Sequence, residues 1–316
     1  MIFYALLYLF SVPNSLGEIG YLIDAEVVGD QLVVLDLAKA ELVSFSINKE
    51  AGEPRLGDPT IIASKGPGPG ELDFPEVLFR DEDGLWVASR FVPKAQKFGL
   101  PNFKYQTAFW YPYGKPILSL VPGKFVIMHP EFEEGMIHAY DTTKMAWDPQ
   151  YDCIPVSKES HINEAKIGDH LALTDGSYVY FADALNLRLE KWTLAGKKQM
   201  SFRQDWMGVQ PWTGKKRFDG KTSLMDFKHS ITTFVNAGNF LFRNVGKQYL
   251  VTTLERPDQT PTYVIQIFDT ETGELVSRWD EDRYPIGVYE SYFILGPSED
   301  SEDVVFMPFN KLGGVL

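Results

Sequence analysis

VVGDQLVVLDLAKAELVSFSI, residues 27 to 47, packs two apolar strands and two turns into one short stretch. Gly29 and Asp30 open a strand of Leu and Val that ends on the acid Asp36. A second turn follows, and the next strand carries Phe45. Runs of β-branched and aromatic residues punctuated by Gly, Asp and Asn are the pattern of antiparallel strands joined by tight turns. The same order returns at 79–98, 120–141, 173–197, 234–273 and 292–310. Asp83-Gly84 and Asp175-Gly176 supply the turns of the second and fourth copies, and Trp86 and Trp192 are aromatics that this reading places between packed sheets. The fifth copy is stretched by an inserted loop, and the last supplies two strands.

Six copies in 316 residues leave about 45–55 residues per unit, the size of a four-stranded antiparallel blade. The sequence therefore predicts an all-β fold: a six-bladed β-propeller of four-stranded antiparallel blades, filling residues 1–316 as a single domain. No long window keeps apolar residues at helical spacing, so helices are minor. The short last copy leaves a strand to be supplied from the other terminus, and Phe3 to Phe10 offers one, apolar on both faces. A competing reading makes residues 1–15 a signal-peptide remnant, with MIFYALLYLF as its apolar core, although no positive charge precedes it. That apolar run is far too short to cross a membrane as a helix, so no transmembrane segment is expected. Both readings of the first residues stand at this point.

Forty-three acids against thirty Lys and Arg give a formal charge of −13. Affinity for nucleic acid comes largely from cations that neutralise phosphates, so DNA, RNA and anionic membrane surfaces are excluded as natural partners. The densest basic run, GKKRFDGK at 214–221, contains an acid and reads as a solvated loop. Apolar residues at 44% and charged residues at 23% fit a folded globular chain, and 14% aromatics fit sheet faces that pack on one another. Cys153 is the one cysteine, which excludes an intramolecular disulfide, a CxxC pair and a Cys-rich zinc site.

KGPGPGEL, residues 65 to 72, joins the first unit to the second. Glycines admit positive φ and close backbone approach, and prolines freeze the bends between them. Gly66, Gly68, Gly70 and Glu71 are accordingly read as a structural motif. A phosphate cradle is excluded because two prolines remove amide donors and no Lys-Ser or Lys-Thr follows. This GPGPGEL-x-FP element, with GDQLVVLD before it and DEDGLWV after it, resembles the bacterial six-bladed β-propeller proteins related to NHL repeats. The acid that follows the blade strand in that group stands here at Asp36 and Asp183. Ser89 replaces it in the second unit, and the third reads HPEFEE. The resemblance implies an exported, periplasmic or otherwise extracytoplasmic protein. No lipobox cysteine supports an anchor, and a cytoplasmic location is the alternative.

HPEFEEGMIH, residues 129 to 138, is the densest group of potential ligands for a divalent metal: His129, Glu131 and His138, with residues 129, 131 and 133 on one face of a strand. Pro130 and Gly135 interrupt that regularity and favour a solvated acidic loop. Trp206 and Trp212, in RQDWMGVQPWTGKKR, are candidates for an exposed aromatic platform that binds carbohydrate, and His229 is a candidate ligand-binding residue near the inner part of the fifth unit. There is no GxSxG elbow, Walker loop or HExxH. The sequence thus points to a non-enzymatic binding or protein-interaction module. It would use the axial mouth or loop face of the propeller, with a protein, small molecule or carbohydrate as partner. The alternative is a metal-dependent hydrolase or lyase with ligands around the central channel.

Overall fold

The computed structural model describes residues 16, 19–50, 52–89, 93–111, 115–121, 124–128, 137–141, 144–147, 170–183, 188–203, 235–256, 262–298, 301 and 303–312. They form a series of antiparallel meanders. The first blade is β1 (Leu22–Val28), β2 (Gln31–Asp36), β3 (Glu41–Glu50) and β4 (Glu53–Ala63). The second is β5 (Pro75–Arg80), β6 (Gly84–Ser89), β7 (Lys94–Gly99) and β8 (Lys104–Trp110), and the third is β9 (Lys115–Val121), β10 (Lys124–Met128), β11 (Ile137–Asp141) and β12 (Ala146–Trp147). The fourth is β13 (His170–Thr174), β14 (Tyr178–Asp183), β15 (Arg188–Thr193) and β16 (Lys198–Ser201). The fifth is β17 (Val235–Asn244), β18 (Lys247–Glu255), β19 (Tyr263–Asp269) and β20 (Leu275–Glu281). A last sheet has β21 (Pro285–Tyr289), β22 (Tyr292–Leu295) and β23 (Val305–Pro308), followed by a short 3-10 helix, Phe309–Leu312.

The apolar runs follow from this stacking. In β2, Leu32 to Leu35 are all fully buried, because both faces of the blade are covered. Leu32 and Val34 pack towards Ile286, Tyr289 and Ile294 of the last sheet, while Val33 and Leu35 pack towards Leu78, Leu85 and Val87 of the second blade. Each such side chain contributes ~1.5–3 kcal/mol relative to an exposed one. Trp86 is buried in the cluster between the second and third blades, stacks on Phe79 at 5.9 Å and donates its Nε1–H to Asp81. Trp192 is buried too, and its Nε1–H goes to Glu190.

Acids at strand ends hold turns, Asp36 at the end of the second strand of the first blade and Asp269 at the end of the third strand of the fifth. Asp36 accepts hydrogen bonds from the amides of Gly20, Tyr21, Ala38 and Lys39, and Asp269 accepts from Glu271 and Thr272. Asp183 occupies the corresponding place in β14 and is fully buried.

Between β4 and β5 the KGPGPGEL stretch makes a compact connection. Leu72 N–H donates to the Ser64 carbonyl at 2.9 Å and Gly66 N–H to the Leu72 carbonyl at 3.0 Å. The Glu71 carboxylate turns back to accept the Gly68 amide at 2.7 Å. Gly70 has φ of +77°. Its amide donates to Gln96 Oε1 at 3.1 Å, while Gln96 Nε2 donates to the Glu71 carbonyl at 2.7 Å. One buried amide side chain on β7 therefore ties the connection to the second blade through both its donor and its acceptor. A Cβ at Gly66 or Gly68 would run into the Glu71 side chain, which is why this loop is built on glycine.

The expectation of six four-stranded blades is corrected. Five blades have four strands, and the last sheet has three among the described residues. The physical reason lies in the C-terminal unit, where the described chain passes from β23 into the 3-10 helix instead of returning as a fourth strand. Residues 3–10, the expected closing strand, lie outside the described residues. Among the described residues no helix is long and apolar enough to cross a membrane.

Candidate ligand-binding channel

Each sheet begins with its innermost strand. β1, β5, β9, β13, β17 and β21 adjoin one another in that order, and β21 returns to β1, so the inner strands close a ring. All of them run the same way along the axis, because each starts an up-and-down meander. Their C-terminal ends and the turns that follow them gather at one mouth. Inside the ring lies a cavity of about 820 Å³, lined by residues of β1, β5, β13, β17 and β21. Small-molecule sites usually measure about 300–1,000 Å³ and combine apolar walls with a few placed polar groups. Here Ala25, Phe79 and Leu241 supply apolar wall, and charged residues of both signs stand among them.

An inner strand has a free edge, and its backbone polar groups need partners. Asp24 meets part of this need. Its Oδ2 accepts the Leu78 amide of the neighbouring blade at 2.8 Å, and its Oδ1 accepts the Ala25 amide at 2.9 Å. Arg80 contributes from the other direction by donating from Nη1 to the Val27 carbonyl at 3.2 Å. Asp175 is fully engaged at its turn: Oδ1 accepts the amides of Ser177 and Tyr178, and Oδ2 accepts the Tyr180 hydroxyl at 2.9 Å. Glu290 accepts a hydrogen bond from Lys49 at 2.8 Å.

Behind the mouth, the fourth and fifth blades share a polar seam. Lys191 is buried, donates to the Thr270 carbonyl at 2.9 Å and lies 4.1 Å from the centre of the Tyr178 ring. The Tyr180 hydroxyl also comes within 3.3 Å of Gln248 Oε1. Burial, reinforced by Asp175, raises the Tyr180 pKa, so the phenol stays protonated.

Two charged side chains at the channel lack this saturation. No hydrogen bond reaches the Glu26 carboxylate from the described residues, and its ion-pair contact is Arg80 Nε at 3.7 Å, too long for a hydrogen bond. A third of the side chain meets channel solvent, yet protein closes around it on the other sides. That desolvation pushes its pKa up to about 7, with Asp24 adding to the rise and Arg80 opposing it. Arg243 is exposed on the channel wall and has neither a hydrogen bond nor an ion pair among the described residues.

Of the residues singled out from sequence, Gly66, Gly68, Gly70 and Glu71 form the inter-blade connection described above. His138 sits on β11 with its ring 5.3 Å from Trp147, edge to face. Its proposed co-ligands His129 and Glu131 lie outside the described residues, as do Trp206, Trp212, His229 and Cys153. Among the described residues no three or more His, Cys, Asp or Glu are grouped to hold a metal ion. Sequence reasoning missed Glu26, Arg80 and Arg243. A signal for the two arginines exists: the triplet Leu-Phe-Arg occurs at 78–80 and again at 241–243, each time just before the turn that leaves an inner strand.

No family model matches the chain, and no curated protein matches it, so kinship with NHL-repeat proteins is not shown. Among solved structures, a Bacteroides fragilis NCTC 9343 protein described as exported aligns over 87% of this chain and 79% of its own, at 12% identity and a TM-score of 0.56. Apo AztD of Citrobacter koseri aligns over 92% and 84%, at 9% identity and a TM-score of 0.45. A Bacteroides uniformis protein described as a 6-phosphogluconolactonase aligns over 89% and 84%, at 13% identity and a TM-score of 0.45. Identities this low speak to fold alone: the chain folds as a β-propeller with four-stranded antiparallel blades.

Proposed function

We propose that this chain is a non-enzymatic binding module that takes a small ligand into its axial channel through the mouth where the inner strands end. The observation that carries the reading is the cavity of about 820 Å³, whose wall combines apolar surface with Glu26, which has an ion pair with Arg80 but no hydrogen bond, and Arg243, which has neither among the described residues. Charged side chains with spare hydrogen-bonding capacity on the wall of a concave site favour recognition over architecture. Gly238 supplies the test. It lines the cavity, its φ is ordinary, and a Cβ there would meet nothing within 4 Å. Gly238→Phe should fill the channel and leave the packing intact. Native mass spectrometry of protein purified from its source should show a retained small molecule that this variant lacks. Equal retention by both proteins would remove the channel as the binding site.

The reading extends to a single domain over residues 1–316 in which the sheet of β21, β22 and β23 is a sixth blade completed by residues 3–10. Leu16, buried against Ile286, Ile294 and Val304, supports it by bringing the start of the chain to that sheet. Deleting residues 1–12 should lower stability by several kcal/mol, since three or four large side chains at ~1.5–3 kcal/mol each would lose their burial. A truncated protein with an unchanged urea midpoint would contradict this closure. An extracytoplasmic location is part of the same proposal, in keeping with the description of the Bacteroides fragilis structure as exported. Cell fractionation tests it.

A further inference from the structure

We propose that the channel binds an organic cation, an amine with an apolar body, whose ammonium group rests on the Glu26 carboxylate. This rests on the channel being the ligand site, and the charges of its wall then decide what enters. Among the described residues five acids line the cavity: Asp24, Glu26, Glu76, Asp175 and Glu290. Two arginines, Arg80 and Arg243, stand against them. Lys49 reaches Glu290 at 2.8 Å, and the acids stay in excess even when it is counted. A concave wall with one sign of charge in excess focuses the field inside it, so this channel attracts cations and repels anions. Of the two arginines, Arg80 is spent on Glu26 and the Val27 carbonyl, which leaves Arg243 as the place an anion would have to reach against that field.

One of the acids has room for the ammonium. Asp24 and Glu26, two residues apart on β1, stand on the same side of that strand and meet the second blade there, Asp24 at the Leu78 amide and Glu26 at Arg80. Asp24 gives its oxygens to the amides of Leu78 and Ala25. Asp175 and Glu290 accept hydrogen bonds within the fold, and Glu76 is engaged where its charge acts on the buried Tyr111. Glu26 accepts no hydrogen bond from the described residues, because Arg80 Nε stops at 3.7 Å and Arg80 Nη1 turns to Val27. Its charge is therefore opposed while its lone pairs stay open.

The chemistry narrows the class. An ammonium brings only donors and an ionised carboxylate only acceptors, and a bond between them is charge-assisted. Ala25, Phe79 and Leu241 offer apolar wall for the body of such a ligand. Among the described residues no three or more His, Cys, Asp or Glu are grouped to hold a bare metal ion, which favours an organic cation. The charged groups that act on Glu26 are Asp24 on its own strand and Arg80 on β5, while β2 sets Val33 opposite it and β21, PIGVY, carries no charge. Desolvation and Asp24 hold the Glu26 pKa up at about 7 against Arg80, so a cation at this place competes with a proton.

The test is calorimetric titration of the full chain at pH 8 with hexylamine, hexanol and hexanoate, which share one apolar body and differ in charge. Hexylamine should bind at least about tenfold more tightly than either of the others. Glu26→Gln should remove that preference, and Gly238→Phe should exclude the amine altogether. Lowering the pH to 5 should weaken hexylamine binding to the natural chain and leave Glu26→Gln unaffected. Loss of folding would not give this pattern, because Glu26→Gln is expected to be at least as stable as the natural chain at pH 8, which its urea midpoint checks. Hexylamine bound equally well by Glu26→Gln would overturn the proposal. So would tighter binding of hexanoate, or no binding of hexylamine at millimolar concentration. A retained molecule that Gly238→Phe displaces but that is neutral or anionic would overturn it too, while leaving the channel itself standing as the site.

Discussion

Arg80 on the second blade and Arg243 on the fifth end the same Leu-Phe-Arg triplet, leave the same inner-strand position and line the same cavity. Two inner strands separate β5 from β17 whichever way the ring is followed, so the two arginines belong to opposite blades. Their surroundings differ. Arg80 has Glu26 at 3.7 Å and the Val27 carbonyl at 3.2 Å, both on the adjacent β1. Arg243 stands on β17, which lies between β13 and β21, pairs in register with Gln248 of β18, and has neither a hydrogen bond nor an ion pair among the described residues. The turns that follow differ too. After Arg80 come Asp81, Glu82 and Asp83, of which Asp81 and Asp83 bind Lys97 at 2.9 and 2.5 Å. After Arg243 the turn carries Val245 at φ +47°, almost fully exposed, which is a strained place for a β-branched residue. A repeat thus sets where a side chain stands, and the neighbouring blade sets whether its charge is spent on the fold or left for a ligand.

The contrast can be tested at several strengths. The firmest tie of the second blade is Gln96. Gln96→Leu would strand the Gly70 amide and the Glu71 carbonyl and is expected to cost ~2–4 kcal/mol in urea denaturation, since each buried polar group left unpaired costs ~1–3 kcal/mol. A loss below ~0.5 kcal/mol would show that the second blade is no more firmly held than the fifth.

Arg80→Leu removes one hydrogen bond to a backbone carbonyl and the counter-charge of Glu26, for an expected loss of ~1 kcal/mol. It should also raise the Glu26 pKa further, which a pH titration of the variant followed by carboxyl NMR would detect. A lowered value would contradict the pairing.

Glu26 itself makes stability depend on pH. Its folded pKa, about 7, lies above the ordinary glutamate value of 4.5, so the folded chain holds its proton more tightly than the unfolded chain does. Its neutral form therefore contributes stability that is fully present below about 4.5 and is lost as pH rises through 7. Glu26→Gln should flatten this part of the stability profile and should be the more stable protein above neutrality. The measurement is the urea midpoint of both proteins at intervals between pH 4 and 8. Parallel profiles would show that Glu26 is not held in a desolvating site.

The smallest effect is expected at Arg243. With no partner to lose among the described residues, Arg243→Leu should shift stability by no more than ~0.5 kcal/mol. A loss equal to that of Arg80→Leu would break the comparison and remove the argument that Arg243 is kept for binding.

Much of the scaffold was legible because it depends on near neighbours in the chain. The continuous apolar runs, the Asp175-Gly176 turn with Gly176 at φ +87° and the glycine connection at 65–72 each express local rules of backbone and burial. The count of complete blades was not legible, because nothing in the strand pattern of residues 285–308 says whether a fourth strand joins them.

The candidate site was hidden for a related reason. Glu26, Arg80 and Arg243 look like ordinary solvent-facing charges at strand ends, and the histidines and tryptophans drew attention first. By itself the sequence determined the strands and their turns, since continuous apolar runs and turn chemistry act over a few residues. Only the tertiary structure decided that Arg80 is paired and that Arg243 has no partner among the described residues. Closing the ring sets β5 beside β1 and β17 between β13 and β21, and whether a charge finds a partner depends on strands of neighbouring blades.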